Sequence, residues 1–182
     1  MQFVMKSALA LGMFSPLLMV PAAEAAPLYA KLSVGQTTQT EVSGFALDDG
    51  VAYGVAVGMP VGPLRVEAGV SRLSADVPLI NAEAHALDYH ASAFMDVSIG
   101  ERASVFAGVG ADYVDAQASF FGNDIDASGT GWHWAVGGAH RISERMIGEV
   151  QFRQIQADLS SDQIGALDLD ASEVSIGFRL AL

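Results

Sequence analysis

The chain has 182 residues, no cysteine and a formal net charge of −12, with 21 Asp and Glu residues against nine Lys and Arg residues. So acidic a chain is a poor ligand for nucleic acid, whose phosphates are bound by Lys and Arg, and the lack of cysteine excludes disulfides and thiolate metal sites. Hydrophobic residues make up 51% of the sequence, yet after residue 25 no apolar run approaches the roughly 18–20 residues of a membrane helix. Two classes remain, an apolar soluble domain and a membrane β-barrel.

Residues 1–25 have the layout of a secretory signal peptide. This segment carries one early positive charge at Lys6, then an apolar stretch, then small residues that end at Ala25. The shortness of the apolar stretch and its Pro16 disfavour a permanent membrane anchor. We therefore expect export with cleavage after Ala25, which leaves one domain over residues 26–182.

From residue 28 onward, apolar residues alternate with a period of two, which is typical of β-strands. Turn signals divide this region into eight segments, and no proline lies inside any of them, as ladder hydrogen bonding requires. The predicted strands are 28–35, 50–59, 64–73, 85–98, 103–114, 131–141, 146–156 and 170–182.

The connections between these strands alternate strictly between short and long. The short ones are PVGP (60–63), SIGER (98–102) and ISER (142–145), and the long, polar ones are 36–49, 74–84, 114–130 and 157–169. Antiparallel strands in up-and-down order place every long loop at one end, and every short turn and both termini at the other. The pattern predicts an all-β fold, an eight-stranded antiparallel up-and-down transmembrane β-barrel.

Aromatic residues indicate which face of the strands contacts lipid. Tyr and Trp favour membrane interfaces, where the ring is apolar and its edge is polar. Most of them lie on the apolar parity near the long-loop end of their strands, and one Phe lies on that parity near the opposite rim. We expect a membrane-interface girdle made of Tyr53, Tyr89, Tyr113, Trp132, Trp134 and Phe178.

The opposite parity carries the charged side chains and therefore predicts the barrel interior. Eight strands leave an interior just wide enough for side chains, so long charged groups need Gly or Ala opposite them, as in GVAYGVAVGM (50–59). A buried charge without a partner costs several kcal/mol, so we expect ion pairs that plug the lumen. The predicted network is Lys31, Arg65, Glu67, Asp88, His90, Asp112, Glu149, Arg153, Glu173 and Arg179.

These segments resemble the small outer-membrane β-barrels of the OmpA N-terminal-domain and opacity-protein type, within the porin family. The residues that carry the resemblance are PLYAKLSVGQ (27–36), DDGVAYGVAVGM (48–59), SVFAGVGADY (104–113), GWHWAVGGAHRISERM (131–146) and EVSIGFRLAL (173–182). The resemblance implies a place in the bacterial cell outer membrane. Such proteins usually end in an aromatic residue, whereas this chain ends in Leu182.

Two short motifs suggest catalysis or metal binding, and we expect neither activity. His90 and Ser92 share one strand face, and lipid A deacylases are small barrels that use His, Ser and Glu, but this pair lies on the lumenal parity, away from lipid. DIDASG (124–129) has the spacing that opens a calcium-binding EF-hand loop, but Ala135 stands where the closing Glu belongs. His133 has no evident partner motif. We predict no enzyme, no cofactor and no dedicated metal site.

The expected function is structural or a surface interaction of the adhesion type, and we expect the barrel to be a monomer. The acidic loops would contact outer-membrane lipid and lipopolysaccharide through Mg²⁺ or Ca²⁺, or an unknown basic extracellular partner. Two alternatives stay open: a narrow channel for small solutes, and a soluble exported barrel that binds an apolar ligand inside, as lipocalins do. The acidic loop residues are Glu41, Asp48, Asp49, Asp76, Glu83, Asp115, Asp124, Asp126, Asp158, Asp162 and Asp168.

Overall fold

The computed structural model describes residues 28–77, 82–120, 123–163 and 165–182, so the predicted signal peptide lies outside the described residues. Within those ranges, no helix is long and apolar enough to cross a membrane. The strands are β1 (Tyr29–Val42), β2 (Phe45–Leu47), β3 (Gly50–Val61), β4 (Leu64–Val77), β5 (Ala82–Ser98), β6 (Ala103–Phe120), β7 (Asn123–Arg141), β8 (Met146–Ser161) and β9 (Gly165–Ala181).

Eight of these strands close into an antiparallel barrel in chain order. β1 pairs with β3 on one side and with β9 on the other, so the ring of long strands has no free edge. The short β2 pairs only with the end of β1, where Val42 lies opposite Phe45. The predicted eight-stranded up-and-down barrel is therefore confirmed, with one small additional strand.

The predicted long loops are wrong in extent, because strands occupy most of them. β6 and β7 pair as far as Phe120 and Asn123, inside the predicted loop 114–130, and β8 and β9 pair through the predicted loop 157–169. DIDASG therefore lies in β7 rather than in a loop. In these segments the residues on the outer face are polar, so the sequence does not show the apolar alternation that identifies a strand. Apolar side chains such as Leu159 nevertheless point inward and pack in a buried cluster.

The two ends of the barrel differ in their outer surface. We call the end that carries both chain termini the terminal end, and the opposite one the extended end. Outward side chains nearer the terminal end are apolar and exposed, for example Val57 at 57%, Val109 at 59% and Ile176 at 55%. This surface, which we call the apolar belt, suits lipid, so the lipocalin-like alternative, which requires the apolar parity to face inward, is wrong.

The strands are longer than a membrane requires. A tilted transmembrane strand needs about 9–11 residues, whereas β5 has 17 and β7 has 19. The surplus projects beyond the apolar belt at the extended end, where outward positions become polar. The interior of this projection has its own apolar cluster, formed by Val114, Ala127, Ala157, Leu159, Leu169 and Ala171.

Candidate functional site

The ten residues predicted for the interior are all buried, none more than 9% exposed. They form two groups along the barrel axis, and each group includes residues that the sequence analysis did not assign to the interior network. The terminal-side cluster is Tyr29, Lys31, Arg65, Glu67, Asp96, Glu149 and Arg179. The central cluster is Asp88, His90, Ser92, Asp112, His133, Arg153 and Glu173.

In the terminal-side cluster, strands that are distant in sequence are joined by ion pairs. Lys31 forms an ion pair with Glu149, and its Nζ also lies 3.6 Å from Oε2 of Glu67. On the other side of Glu149, Nε of Arg179 lies 2.8 Å from Oε2. Since β1, β4, β8 and β9 each contribute a charge, these contacts tie together strands from both halves of the chain.

Arg65 forms ion pairs with carboxylates and cation–π contacts with two aromatic rings. It forms an ion pair with Glu67, and its Nε donates to Oδ2 of Asp96 at 2.9 Å. Its guanidinium carbon lies 4.2 Å from the centroid of the Phe94 ring and 5.1 Å from that of Phe106, a cation–π arrangement. The hydroxyl of Tyr29 donates to Oε1 of Glu67 at 2.6 Å.

In the central cluster, one cation faces several carboxylates. Arg153 reaches Oδ2 of Asp88 at 2.9 Å through Nη1 and Oε2 of Glu173 at 2.8 Å through Nη2. His90 Nδ1 lies 3.3 Å from Oδ2 of the same Asp88. Asp112 is the third carboxylate, and with both imidazoles neutral this cluster has an excess of two negative charges. Positive and negative charges are therefore equal in number in the terminal-side cluster but not in this one.

Ser92, His133 and Asp112 form a hydrogen-bonded series that the sequence analysis missed. Ser92 Oγ lies 3.0 Å from Nε2 of His133, and Nδ1 of His133 lies 2.8 Å from both oxygens of Asp112. Ser92 and His133 lie on either side of Gly110, in direct register across β5, β6 and β7. A Cβ at Gly110 would lie 2.3 Å from Cε1 of His133, so the glycine gives the ring room to reach Ser92.

This series has the connectivity of a nucleophile, a base and an orienting acid, but its surroundings leave little room for a substrate. Ser92 is buried, and the adjacent cavity, also lined by Lys31 and Glu67, has a volume of about 20 Å³, enough for about one water molecule. The described residues hold no group of three or more His, Asp or Glu side chains placed to bind a metal ion. What the geometry provides is satisfied hydrogen bonding for a buried imidazole.

The six residues predicted for the aromatic girdle all lie on the outward-facing parity of their strands, and their role at a membrane interface stays a prediction. Tyr89 is half-buried and packs against Tyr113 with ring centroids 6.4 Å apart. Phe152, which the sequence analysis did not name, lies on the same outward-facing parity, with its ring 5.4 Å from that of Trp134. The exposed girdle residues are Tyr53, Tyr113, Trp132, Trp134 and Phe178.

A ring of eight antiparallel strands with an apolar outer belt and a charged, filled interior defines a small membrane β-barrel. The chain belongs to the family described as "outer membrane protein beta-barrel domain", whose model matches residues 7–181. This confirms the resemblance drawn from the sequence and places the protein in the bacterial outer membrane. No curated protein sequence matches the chain.

Solved structures of outer-membrane proteins share this fold. Neisserial surface protein A (NspA) is 15% identical with a TM-score of 0.72, over 85% of this chain and 97% of that one. OprG from Pseudomonas aeruginosa is 11% identical with a TM-score of 0.59, over 86% and 96%. Ail, the attachment invasion locus protein of Yersinia pestis, is 16% identical with a TM-score of 0.51, over 84% and 98%. At such identities the likeness shows the fold alone.

Proposed function

We propose that the protein is a closed outer-membrane barrel with a structural and surface-interaction role, in which the extended end presents an acidic surface outside the cell. The observation that carries this proposal is that the interior of the barrel differs between its two ends. Paired charges fill the lumen within the apolar belt, while the strands continue beyond the belt around a separate apolar core. A protein built to conduct would not need either feature.

The orientation follows from the positions of the two ends. In bacterial outer-membrane barrels the short turns lie in the periplasm, and here the turns next to the apolar belt are at the terminal end. The extended end then faces outward and carries more than half of the carboxylates whose side chains the structure describes. Its carboxylates among the described side chains are Glu41, Asp48, Asp49, Asp115, Asp126, Asp158, Asp162, Asp168 and Asp170.

A surface of this charge fits two kinds of partner. Divalent cations can join its carboxylates to the phosphates of lipopolysaccharide, and basic segments of an extracellular partner can bind it directly. Ail, named for attachment and invasion, has the same fold, which supports a surface role without identifying a ligand. We infer a monomer, and we infer that the protein is not an enzyme.

The interior disfavours the narrow channel. Val114 and Ile155 are fully buried in the apolar clusters on the extended side of the central cluster. An ion that crosses the barrel must pass both this apolar layer and the ion-paired side chains. In planar bilayers we therefore expect no steady conductance from the purified barrel, and defined, reproducible conductance steps would favour the channel instead.

Orientation is tested by labelling single cysteines on intact cells, since the chain has no cysteine of its own. A membrane-impermeant maleimide should label D158C, at the extended end, on intact cells. The matched variant S143C, in the β7–β8 turn at the terminal end, should be labelled only after the outer membrane is permeabilised. The reverse pattern would overturn the proposed surface role.

A further inference from the structure

Arg72 differs from every other cation among the described residues. Four cations (Lys31, Arg65, Arg153 and Arg179) are buried in the barrel interior. Three others (Arg102, Arg141 and Arg145) are exposed at or next to turns of the terminal end. This leaves Arg72, within the part of the chain that the structure describes, as the single Lys or Arg side chain on the outer surface toward the extended end.

Its position on β4 places Arg72 at the boundary of the apolar belt that is nearer the extended end. Arg72 lies directly opposite Tyr53 on β3 and opposite Leu87 on β5. Two residues toward the terminal end on each strand, Val70 lies opposite Tyr89. In the other direction the next outward residue, Ser74, is polar and bonds to the backbone of β3. Arg72 therefore stands at the level where lipid chains give way to headgroups.

The guanidinium of Arg72 is exposed and makes no ion pair with any described residue. This is unexpected at an end of the barrel that carries many carboxylates, but the described residues opposite it are neutral. The flanking Tyr53 is half exposed, at 52%, and its hydroxyl is a free donor among the described residues. Arg72 and the tyrosines on both sides thus offer a charged planar donor and hydroxyl donors at the lipid surface.

We propose that Arg72, together with Tyr53 and Tyr89, binds a phosphate group carried by an outer-leaflet lipid, of the kind borne by lipopolysaccharide. A guanidinium holds phosphate through paired, charge-assisted hydrogen bonds, and the long stem of an Arg side chain can lie along the apolar belt while its head reaches the headgroup layer. Because the carboxylates of the extended end repel phosphate, Arg72 would be the residue that contacts the lipid phosphate without a bridging cation. The inference rests on the proposed orientation with the extended end outside.

The test measures binding of bisphosphorylated lipid A to the folded barrel in detergent by native mass spectrometry. The variant R72Q removes the charge from an exposed position and should fold, which a heat-dependent gel shift checks. We expect R72Q to reduce retention of this lipid about tenfold and R72K to reduce it less. The matched control R102Q, an exposed arginine at the terminal end, should retain it as the unaltered chain does.

Three outcomes would overturn the proposal: equal retention by R72Q, equal binding of dephosphorylated lipid A, or complete displacement of the lipid by inorganic phosphate at millimolar concentration. The last would make free phosphate the ligand. The cysteine labelling described above reports on orientation separately. If D158C is not labelled on cells while R72Q still loses the lipid in detergent, the proposed function and the outer-leaflet assignment fail, and only the affinity of Arg72 for lipid phosphate stands.

Discussion

At the scale of single residues, glycines in the interior determine where the large side chains of neighbouring strands can lie. His133 crosses β6 to reach Ser92 only because Gly110 lies between them, and the rings of Tyr29 and His90 likewise lie against Gly58 and Gly69. The alternation of bulky and minimal side chains in the sequence therefore has a direct steric cause. Large polar groups on one strand occupy the space that glycines on the neighbouring strands leave open.

The first prediction concerns Gly110. In the variant G110A the new methyl group would meet the imidazole of His133 and the carbonyl oxygen of Ala91 at 2.3 and 2.5 Å, and overpacking of this kind costs about 1–3 kcal/mol. Urea unfolding of the barrel in lipid vesicles should show that loss. Gly138 is the matched control, since a Cβ there comes no closer than 3.9 Å to another group, and G138A should leave stability nearly unchanged. Similar losses for both variants would refute the steric account.

A second prediction at this scale concerns the reactivity of Ser92. Although His133 and Asp112 are arranged as a base and an orienting acid, the cavity beside the hydroxyl has room for about one water. A fluorophosphonate probe should therefore leave Ser92 unmodified in the folded barrel, as judged by mass spectrometry of its peptides. A serine hydrolase labelled in the same tube controls for the reagent. Labelling of Ser92 that disappears in H133Q would show instead that the series is catalytic.

At the scale of strands, facing was predictable from the sequence and length was not. The period of two assigns Lys31, Glu149 and Arg179 to one face, and the structure buries all three. The ends of β6 to β9 were missed because Asp and Ser on the outer face resemble a loop, although Val114 and Leu169 face a core. The partners of Ser92 could not be foreseen either, because pairing between strands depends on register, which one chain segment does not encode.

The apolar belt supports a prediction about single strands. Val55 is 50% exposed and lies near the middle of β3, so Val55→Arg would place a charge in the bilayer centre at a cost of about 2–4 kcal/mol. The matched variant Gln156→Arg alters an exposed outward position of β8 at the extended end, where an added charge should change stability by less than about 0.5 kcal/mol. Equal costs in vesicle unfolding experiments would mean that the belt is not in lipid.

At the scale of the whole molecule, the charges are sorted along the axis. Most of the described carboxylates lie at the extended end, the terminal-side cluster is balanced, and three arginines lie at or next to the terminal-end turns. A strand slipped by one residue would turn its charges toward lipid, so this distribution helps to specify one register and one direction of insertion. The hydrogen bonds between all eight long strands leave the ring without a free edge.

A closed ring of this kind should resist SDS until it is heated, so the unboiled protein should migrate differently from the boiled protein on a gel.

A variant of Lys31 tests how far the interior ion pairs contribute to this resistance. In Lys31→Met, Glu149 and Glu67 lose a buried cation, and breaking a buried pair costs about 3–5 kcal/mol. We therefore expect this variant to unfold at a lower temperature in the same assay, whereas Arg102→Met, in an exposed turn, should unfold with the unaltered chain. If both variants behave alike, backbone hydrogen bonding rather than the ion pairs determines the resistance of the barrel to heat.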